Sequence, residues 1–462
     1  MARMTVDLGS GNVKKLLFSL SVPTITSQLV NMLYNLVDRI FIGHIQPVET
    51  VGKLALTGVG VCFPVIIIIS AFSALLAMGG APRASIQEGR GDLRESERIM
   101  GNSFTLLVMT ALILTLIFQL FAEPILLTFG SSENTIGYAL DYMRIYSLGT
   151  IFVQITLGMN AYITAQGFTT VSMKTILIGA ALNTILDPVF IFVLDMGVQG
   201  AALATILSQA VSALWVLRFL TGPQTKWRLK RENLRPVPAV FLPCLALGLS
   251  PFIMQSTESL IAVCFNSSLL KYGDDLAVGA MTILTSIMQF AMMPIQGLSQ
   301  GAQPIISYNF GARNPQRVRE AFRCLLISCV LYSMLFWALL QLFPELFVRI
   351  FNSDSALVSY AAWALRIYMG SIGIFGIQIA CQQTFIALGN AKTSLFLAVL
   401  RKIILLIPLI YILPGFFEDK TFAVFLAEPV ADLLAVCTTA FLFHRHFRAT
   451  MAQRSSPRIN AK

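Results

Sequence analysis

What this 462-residue chain has least of is charge. Asp, Glu, Lys and Arg together make up 12% of it, against 56% hydrophobic residues and a mean hydropathy of +0.74. A soluble domain carries about 25% charged residues. The deficit runs along the whole chain, so its surface must face lipid rather than water. Histidine is scarce too, and His44, His444 and His446 form no ligand cluster. The seven cysteines include no CxxC pair and lie mostly in apolar runs, where a thiol serves as a small hydrophobe. No phosphate-binding Walker loop, metalloprotease helix or nucleophile motif is present. Those absences argue against a catalytic site, and against ATP as the energy source on this chain. The N-terminal MARMTVDLGSGNVKKLLFSL lacks a clear cleavage site after its apolar run and reads as the start of the first membrane helix.

A bilayer core about 30 Å thick needs ~20 apolar residues of helix, and the chain offers twelve such runs. Six lie near 16–42, 54–80, 98–121, 138–161, 171–194 and 199–220, and six near 241–270, 276–308, 321–343, 357–387, 394–414 and 421–444. The predicted fold is an all-α polytopic membrane protein of two six-helix lobes. The N-lobe covers 1–220, a basic cytoplasmic linker 221–240, the C-lobe 241–446 and a cytoplasmic tail 447–462. With both termini in the cytoplasm, 23 basic residues fall inside, and only Lys53, Lys271, Arg349 and Lys420 fall outside. That asymmetry fixes the orientation and accounts for the net charge of +10 without nucleic acid. The basic stretches LRESER (93–98) and RNPQRVREAFR (313–323) read as short cytoplasmic helices after the second and eighth spans.

The two halves match at an offset of 222 residues. Pro82, Ser85 and Gly89 fall over Pro304, Ser307 and Gly311; Phe121, Glu123, Arg144 and Tyr146 likewise meet identical residues. In the first and seventh spans, Pro23 and Asp38 fall over Pro251 and Asn266 at a slightly longer offset. An even number of spans per half makes this a parallel repeat, with two bundles facing a cleft and rocking to give alternating access. Pro23 and Pro251 are expected to kink their helices.

Ionisable groups at bilayer depth are costly and point to function. In LNTILDPVFIF (182–192), Asn183 and Asp187 stand one helical turn apart on a shared face. A carboxylate with an amide oxygen and a hydroxyl nearby can hold a cation, since hard cations take oxygen ligands. Thr205 and Asp38 are the remote candidates for the remaining oxygens, so the four could hold Na⁺. Pro188 can free a backbone carbonyl beside them. Asn183 and Asp187 could equally bond neighbouring helices as polar glue, and Asp38 could pair with Arg39 at the interface. Bending at Pro23 would move Gln28, Asn31, Tyr34, Asn35 and Asp38, candidates for substrate or proton contact. In the second half, Arg401 is expected to reach Asp432, which shares a face with Glu428. That leaves Glu258 the least compensated acid, favoured for proton exchange or for meeting a cationic substrate.

Over nearly its whole length the sequence resembles the multidrug and toxic compound extrusion family, in particular its bacterial MepA-type branch. The resemblance rests on Pro23-x14-Asp38, on GGAPRASIQEGRGD after the second span, on LNTILDPVFIFVLDMGVQGAALAT, and on GLSQGAQPIISYNFGARN. It implies twelve helices in two V-shaped lobes that export cationic, amphipathic compounds in exchange for H⁺ or Na⁺. It implies a cation site at Asp38, Asn183, Asp187 and Thr205, with Glu258 as a further acid. Some members also carry an acid in the tenth span, whereas IYMGSIGIFGIQIACQQTFIALG (367–389) has none. The expected protein is thus no enzyme and needs no cofactor beyond the coupling ion. It would work as a monomer in a bacterial inner membrane. The alternatives are a lipid-linked sugar flippase of the same superfamily, or a membrane-embedded receptor or enzyme.

Overall fold

The computed structural model describes residues 7–455, so the basic residues Arg3, Arg458 and Lys462 and the end of the tail lie outside the described part. Among the described residues there is no strand. Helices run in the order α1 (Val13–Gly43), α2 (Lys53–Gly89), α3 (Leu93–Thr128), α4 (Ile136–Leu148), α5 (Thr150–Ala165), α6 (Thr169–Pro188) and α7 (Gly197–Thr221). Then follow α8 (Pro238–Tyr272), α9 (Asp275–Gly311), α10 (Pro315–Leu342), α11 (Pro344–Arg349), α12 (Ser355–Tyr368), α13 (Ile372–Ala387), α14 (Ala391–Val399), α15 (Ile407–Ile412) and α16 (Lys420–Ser455). Wide π-helical turns follow α6 (Val189–Val193) and join α14 to α15 (Leu400–Leu406).

Among the described residues ten helical segments are long and apolar enough to cross a membrane, and counting each of two bent pairs as one span brings the number to twelve. The bent pairs correct the expectation of continuous fourth and tenth spans: α4 meets α5 at 56°, and α12 meets α13 at 48°. A glycine lies in each break, Gly149 and Gly370. The Gly149 break also needs a residue without a side chain, because a Cβ there would run into Ile206. LRESER and RNPQRVREAFR do not form separate helices either. Asp92 and Asn314 accept hydrogen bonds from the backbone N–H of Glu95 and Arg317, capping the long helices α3 and α10. The two stretches are therefore the first turns of membrane-crossing helices.

The described residues pack into two compact units, one of residues 7 and 26–255, the other of 8–25 and 256–455. Both α1 and α8 contribute to both units, and the change comes two residues after Pro23 and four after Pro251. Within the first unit α2 and α8 cross closely. A Cβ on Gly79 would strike the Cys244 carbonyl, and one on Gly248 the Leu75 carbonyl. This small-residue contact brings two backbones together where no water competes.

The 222-residue offset is structural, since the same hydrogen bonds recur. Ser85 Oγ donates to the Ala165 carbonyl at 2.9 Å and Ser307 Oγ to that of Ala387 at 2.8 Å. Gln119 Nε2 donates to the Arg144 carbonyl and Gln341 Nε2 to that of Arg366. Gly167 and Gly389 take the same left-handed conformation before α6 and α14, at φ +88° and +75°.

The segment between α7 and α8 is docked on the first unit. Gln166 Oε1 accepts from Thr225 Oγ1 and from the backbone N–H of Lys226 and Trp227. Glu97 accepts from Arg228 N–H and, at 2.6 Å, from Lys230 Nζ. The Trp227 ring is fully buried.

Candidate functional site

Asn183 and Asp187 come together as their spacing suggests. Asn183 Nδ2 donates to Asp187 Oδ1 at 3.0 Å and reaches Thr205 Oγ1 at 3.4 Å, while Thr205 Oγ1 donates back along α7 to the Ala201 carbonyl at 3.0 Å. All three side chains are buried. The amide spends its N–H donors on Asp187 and Thr205, and its own oxygen is buried without a donor among the described residues. Pro188 ends α6 directly after Asp187 and has no N–H to give to the carbonyl one turn back. The wide π turn that follows carries the chain on toward α7.

Helix α1 supplies the third wall. Asp38 is close enough to Asp187 for the two charges to act on each other, and its Oδ1 is buried without a partner among the described residues. The charge of its neighbour Arg39 acts on Asp38, while the Arg39 guanidinium lies over the Phe63 ring, 4.9 Å from the centroid. Tyr34 lines the same cavity as Gln209 on α7. Gln28, Asn31 and Tyr34 line a cavity of about 140 Å³ that reaches Asn183 and Thr205. Asn35 is set apart from them; it is exposed and donates to the Asn31 carbonyl at 2.7 Å.

Sequence reasoning missed most of the opposite wall. Thr205, Ser208, Gln209 and Ser212 follow i, i+3, i+4, i+7 spacing along α7, one polar stripe on an otherwise apolar helix. Thr175 on α6 and Thr156 on α5 complete the lining. The stripe's periodicity was the available signal, although hydroxyls in a membrane helix commonly bond only their own backbone. The acceptors here outnumber the donors. Asn183 Oδ1, Asp187 Oδ2, Asp38 Oδ1 and Gln209 Oε1 are all buried with no donor among the described residues. Each such oxygen costs about 1–3 kcal/mol unless something positive meets it. No group of three or more His, Cys, Asp or Glu placed to hold a metal ion occurs among the described residues. The donor set is therefore one of hard oxygens, suited to a proton or an alkali cation rather than a soft metal.

The second unit has charge of a different kind. Arg401 bridges Asp432 (Nε to Oδ1, 2.6 Å) and Glu428 (Nη2 to Oε1, 2.9 Å), and its guanidinium stacks on Phe375. The expectation of an uncompensated Glu258 is corrected: Lys402 Nζ lies 2.7 Å from Glu258 Oε1. Arg401 and Lys402 are adjacent in sequence, and an ordinary helix would splay them about 100° apart. The π-helical turn Leu400–Leu406 lets both turn inward, so both are buried.

The relatives of this chain agree with that architecture. The multidrug export protein MepA of Staphylococcus haemolyticus is 25% identical over 427 residues, covering 92% of this chain and 93% of that protein. MepA of Staphylococcus aureus is 25% identical over 435 residues, covering 94% and 95%. A crystal structure of a MATE transporter in a bent conformation superposes with a TM-score of 0.91 at 22% identity, over 99% of this chain and 100% of that one. An outward-facing multidrug resistance MATE transporter of the MOP superfamily gives 0.90, also at 22% identity, over 97% and 99%. The MatE family model matches residues 23–189 and 251–412, the two halves of the repeat in turn. The chain is therefore a multi-pass membrane transporter, not an enzyme, and belongs to the MatE family of multidrug and toxic compound extrusion proteins.

Proposed function

We propose that this protein exports cationic, amphipathic compounds by antiport against H⁺ or Na⁺, and that the coupling ion binds at Asp187, Asn183, Thr205 and Asp38. The observation that carries this reading is the set of buried oxygens around Asp187 that no donor meets. Two carboxylates within electrostatic reach of each other, with Arg39 acting on Asp38 alone, make a site that draws positive charge. An ion there and a cationic substrate in the adjoining cavity draw on the same negative charge. Each therefore weakens the other's binding, which is the thermodynamic requirement for exchange. The MepA names of the relatives support multidrug export, and a cavity walled by amides, hydroxyls and Tyr34 suits substrates of varied shape. The N-lobe (1–220) and C-lobe (241–446) would supply alternating access in a bacterial cytoplasmic membrane, with both termini inside and a single chain sufficient.

The test is ethidium efflux from vesicles containing the purified protein, driven first by an imposed Na⁺ gradient and then by a pH gradient. At least one gradient should drive efflux in the parent chain and neither in Asp187→Asn. Undiminished efflux from the variant removes the assignment of Asp187. No efflux from the parent under either gradient removes the antiport reading itself.

A further inference from the structure

Each half of the repeat keeps an arginine on an exposed helix face. The exposed positions of α4 are Gly137, Asp141, Arg144 and Leu148, one stripe at helical spacing. Their counterparts 222 residues on, Ser359, Trp363, Arg366 and Gly370, are exposed too. Three of the four positions differ between the halves, and only the arginine is the same. No internal contact accounts for that identity: neither guanidinium has a hydrogen bond or an ion pair among the described residues.

The two arginines also share their surroundings. Gln119 Nε2 donates to the Arg144 carbonyl at 2.7 Å and Gln341 Nε2 to that of Arg366 at 2.9 Å, which ties each arginine to the end of a membrane-crossing helix. Both glutamines are followed by leucine and phenylalanine, and helical geometry fails at the phenylalanine in each half, at φ −120° for Phe121 and −128° for Phe343. Leu120 and Leu342 are 66% and 67% exposed, Phe121 and Phe343 54% and 55%. Each half therefore sets an unpaired positive charge at a helix end that offers two large apolar side chains. Aromatic rings mark the depth in the second half. Trp363, one turn before Arg366, packs against Tyr360, Phe425 and Phe422 at 5.4, 6.2 and 6.4 Å, close to the start of α16 at Lys420. Trp and Tyr gather at the membrane–water interface. An arginine there extends its guanidinium to the headgroups, and its planar fork of donors matches phosphate oxygens.

We propose that Arg144 and Arg366 each bind the phosphodiester of a membrane phospholipid, whose acyl chains lie along Leu120–Phe121 and Leu342–Phe343. Arg366 makes the tighter site. Its neighbour on the stripe is Trp363, whereas Arg144 has the Asp141 carboxylate one turn away, which repels the same phosphate.

The test reads the Arg366 site locally, on the full-length protein in nanodiscs. Lipids with brominated chains quench tryptophan emission on contact, and the Trp363 share is the difference between the parent and Trp363→Phe. Brominated phosphatidylglycerol should quench it at about tenfold lower mole fraction than a neutral glycolipid with the same chains. Arg366→Gln should remove that preference; Arg366→Lys, which keeps the charge without the fork, should retain part of it. Native mass spectrometry of the double variant Arg144→Gln/Arg366→Gln should show two phospholipids fewer than the parent. Equal quenching by the two lipids in the parent overturns the proposal, whether or not the variants fold. So does a preference unchanged in Arg366→Gln, the result expected if the arginine only complements the C-terminal end of α12. An unchanged phospholipid count in the double variant overturns it as well. So does a preference abolished by inorganic phosphate, which would assign the site to a free anion.

Discussion

Replacing Asp187 by Asn tests the proposed cation site with little disturbance of the fold. The amide is nearly isosteric, and its oxygen can still accept from Asn183 Nδ2, now 3.0 Å away. What disappears is one unit of negative charge. Two unit charges about 4 Å apart interact by about 4 kcal/mol at the effective dielectric of a protein, which is roughly a thousandfold in cation affinity. A cation present at a hundred times its Kd stabilises the folded state by about 2.7 kcal/mol; a thousandfold weaker Kd reduces that to nearly nothing. Thermal unfolding of the detergent-solubilised protein, with and without Na⁺ and across acid and neutral buffers, measures the difference. The parent should gain stability from one of the two cations. Asp187→Asn should lose that response yet unfold within about 1 kcal/mol of the parent when the cation is absent. A variant that keeps the full cation-dependent shift refutes the reasoning. A parent without any shift shows that Asn183 and Asp187 only tie α6 to its neighbours.

Thr205→Val removes one neutral oxygen and keeps the shape. It should weaken cation binding about five- to tenfold, read by the same unfolding assay. Gln166→Ala strips the three hydrogen bonds that its Oε1 accepts, and hydrogen exchange of residues 225–230 should accelerate by at least about a hundredfold at about 1 kcal/mol per bond. Gly248→Leu drives a side chain into the Leu75 carbonyl on α2, which backbone cannot yield to, and should cost about 3 kcal/mol, seen as lost monodisperse protein in size-exclusion chromatography. Arg401→Met leaves Glu428 and Asp432 without their shared partner and should destabilise by about 3–5 kcal/mol, far more than Glu428→Gln, as thermal unfolding will show.

These perturbations follow a division between what a membrane sequence displays and what it conceals. Membrane spans were legible because lipid enforces about 20 apolar residues at a time. The repeat was legible because the same backbone contacts need the same small and polar residues, as Ser85 and Ser307 show by their identical bonds to Ala165 and Ala387. Asn183 and Asp187 were legible because one helical turn fixes their shared face. The breaks at Gly149 and Gly370 were hidden, since glycine is common in membrane helices and hydropathy does not register a bend. The Lys402–Glu258 pair was hidden for two reasons: it joins residues 144 apart in sequence, and it depends on a π turn that no residue pattern announces.

That second concealment matters for mechanism. By sequence, the first half offers the candidate cation site and the second keeps Glu258 as a secondary, least compensated acid. The structure separates them. In the first unit Asp187 meets the Asn183 amide, and its Oδ2 and the Asp38 Oδ1 are buried without a donor among the described residues, which is what the proposed cation site requires. In the second unit Arg401 and Lys402 are tethered by the backbone and cannot leave, so most of the acid is permanently answered. A duplicated scaffold thus need not duplicate its chemistry: arginine and lysine stand in the second half where the first has glycine and alanine, and they answer its acids with tethered charge.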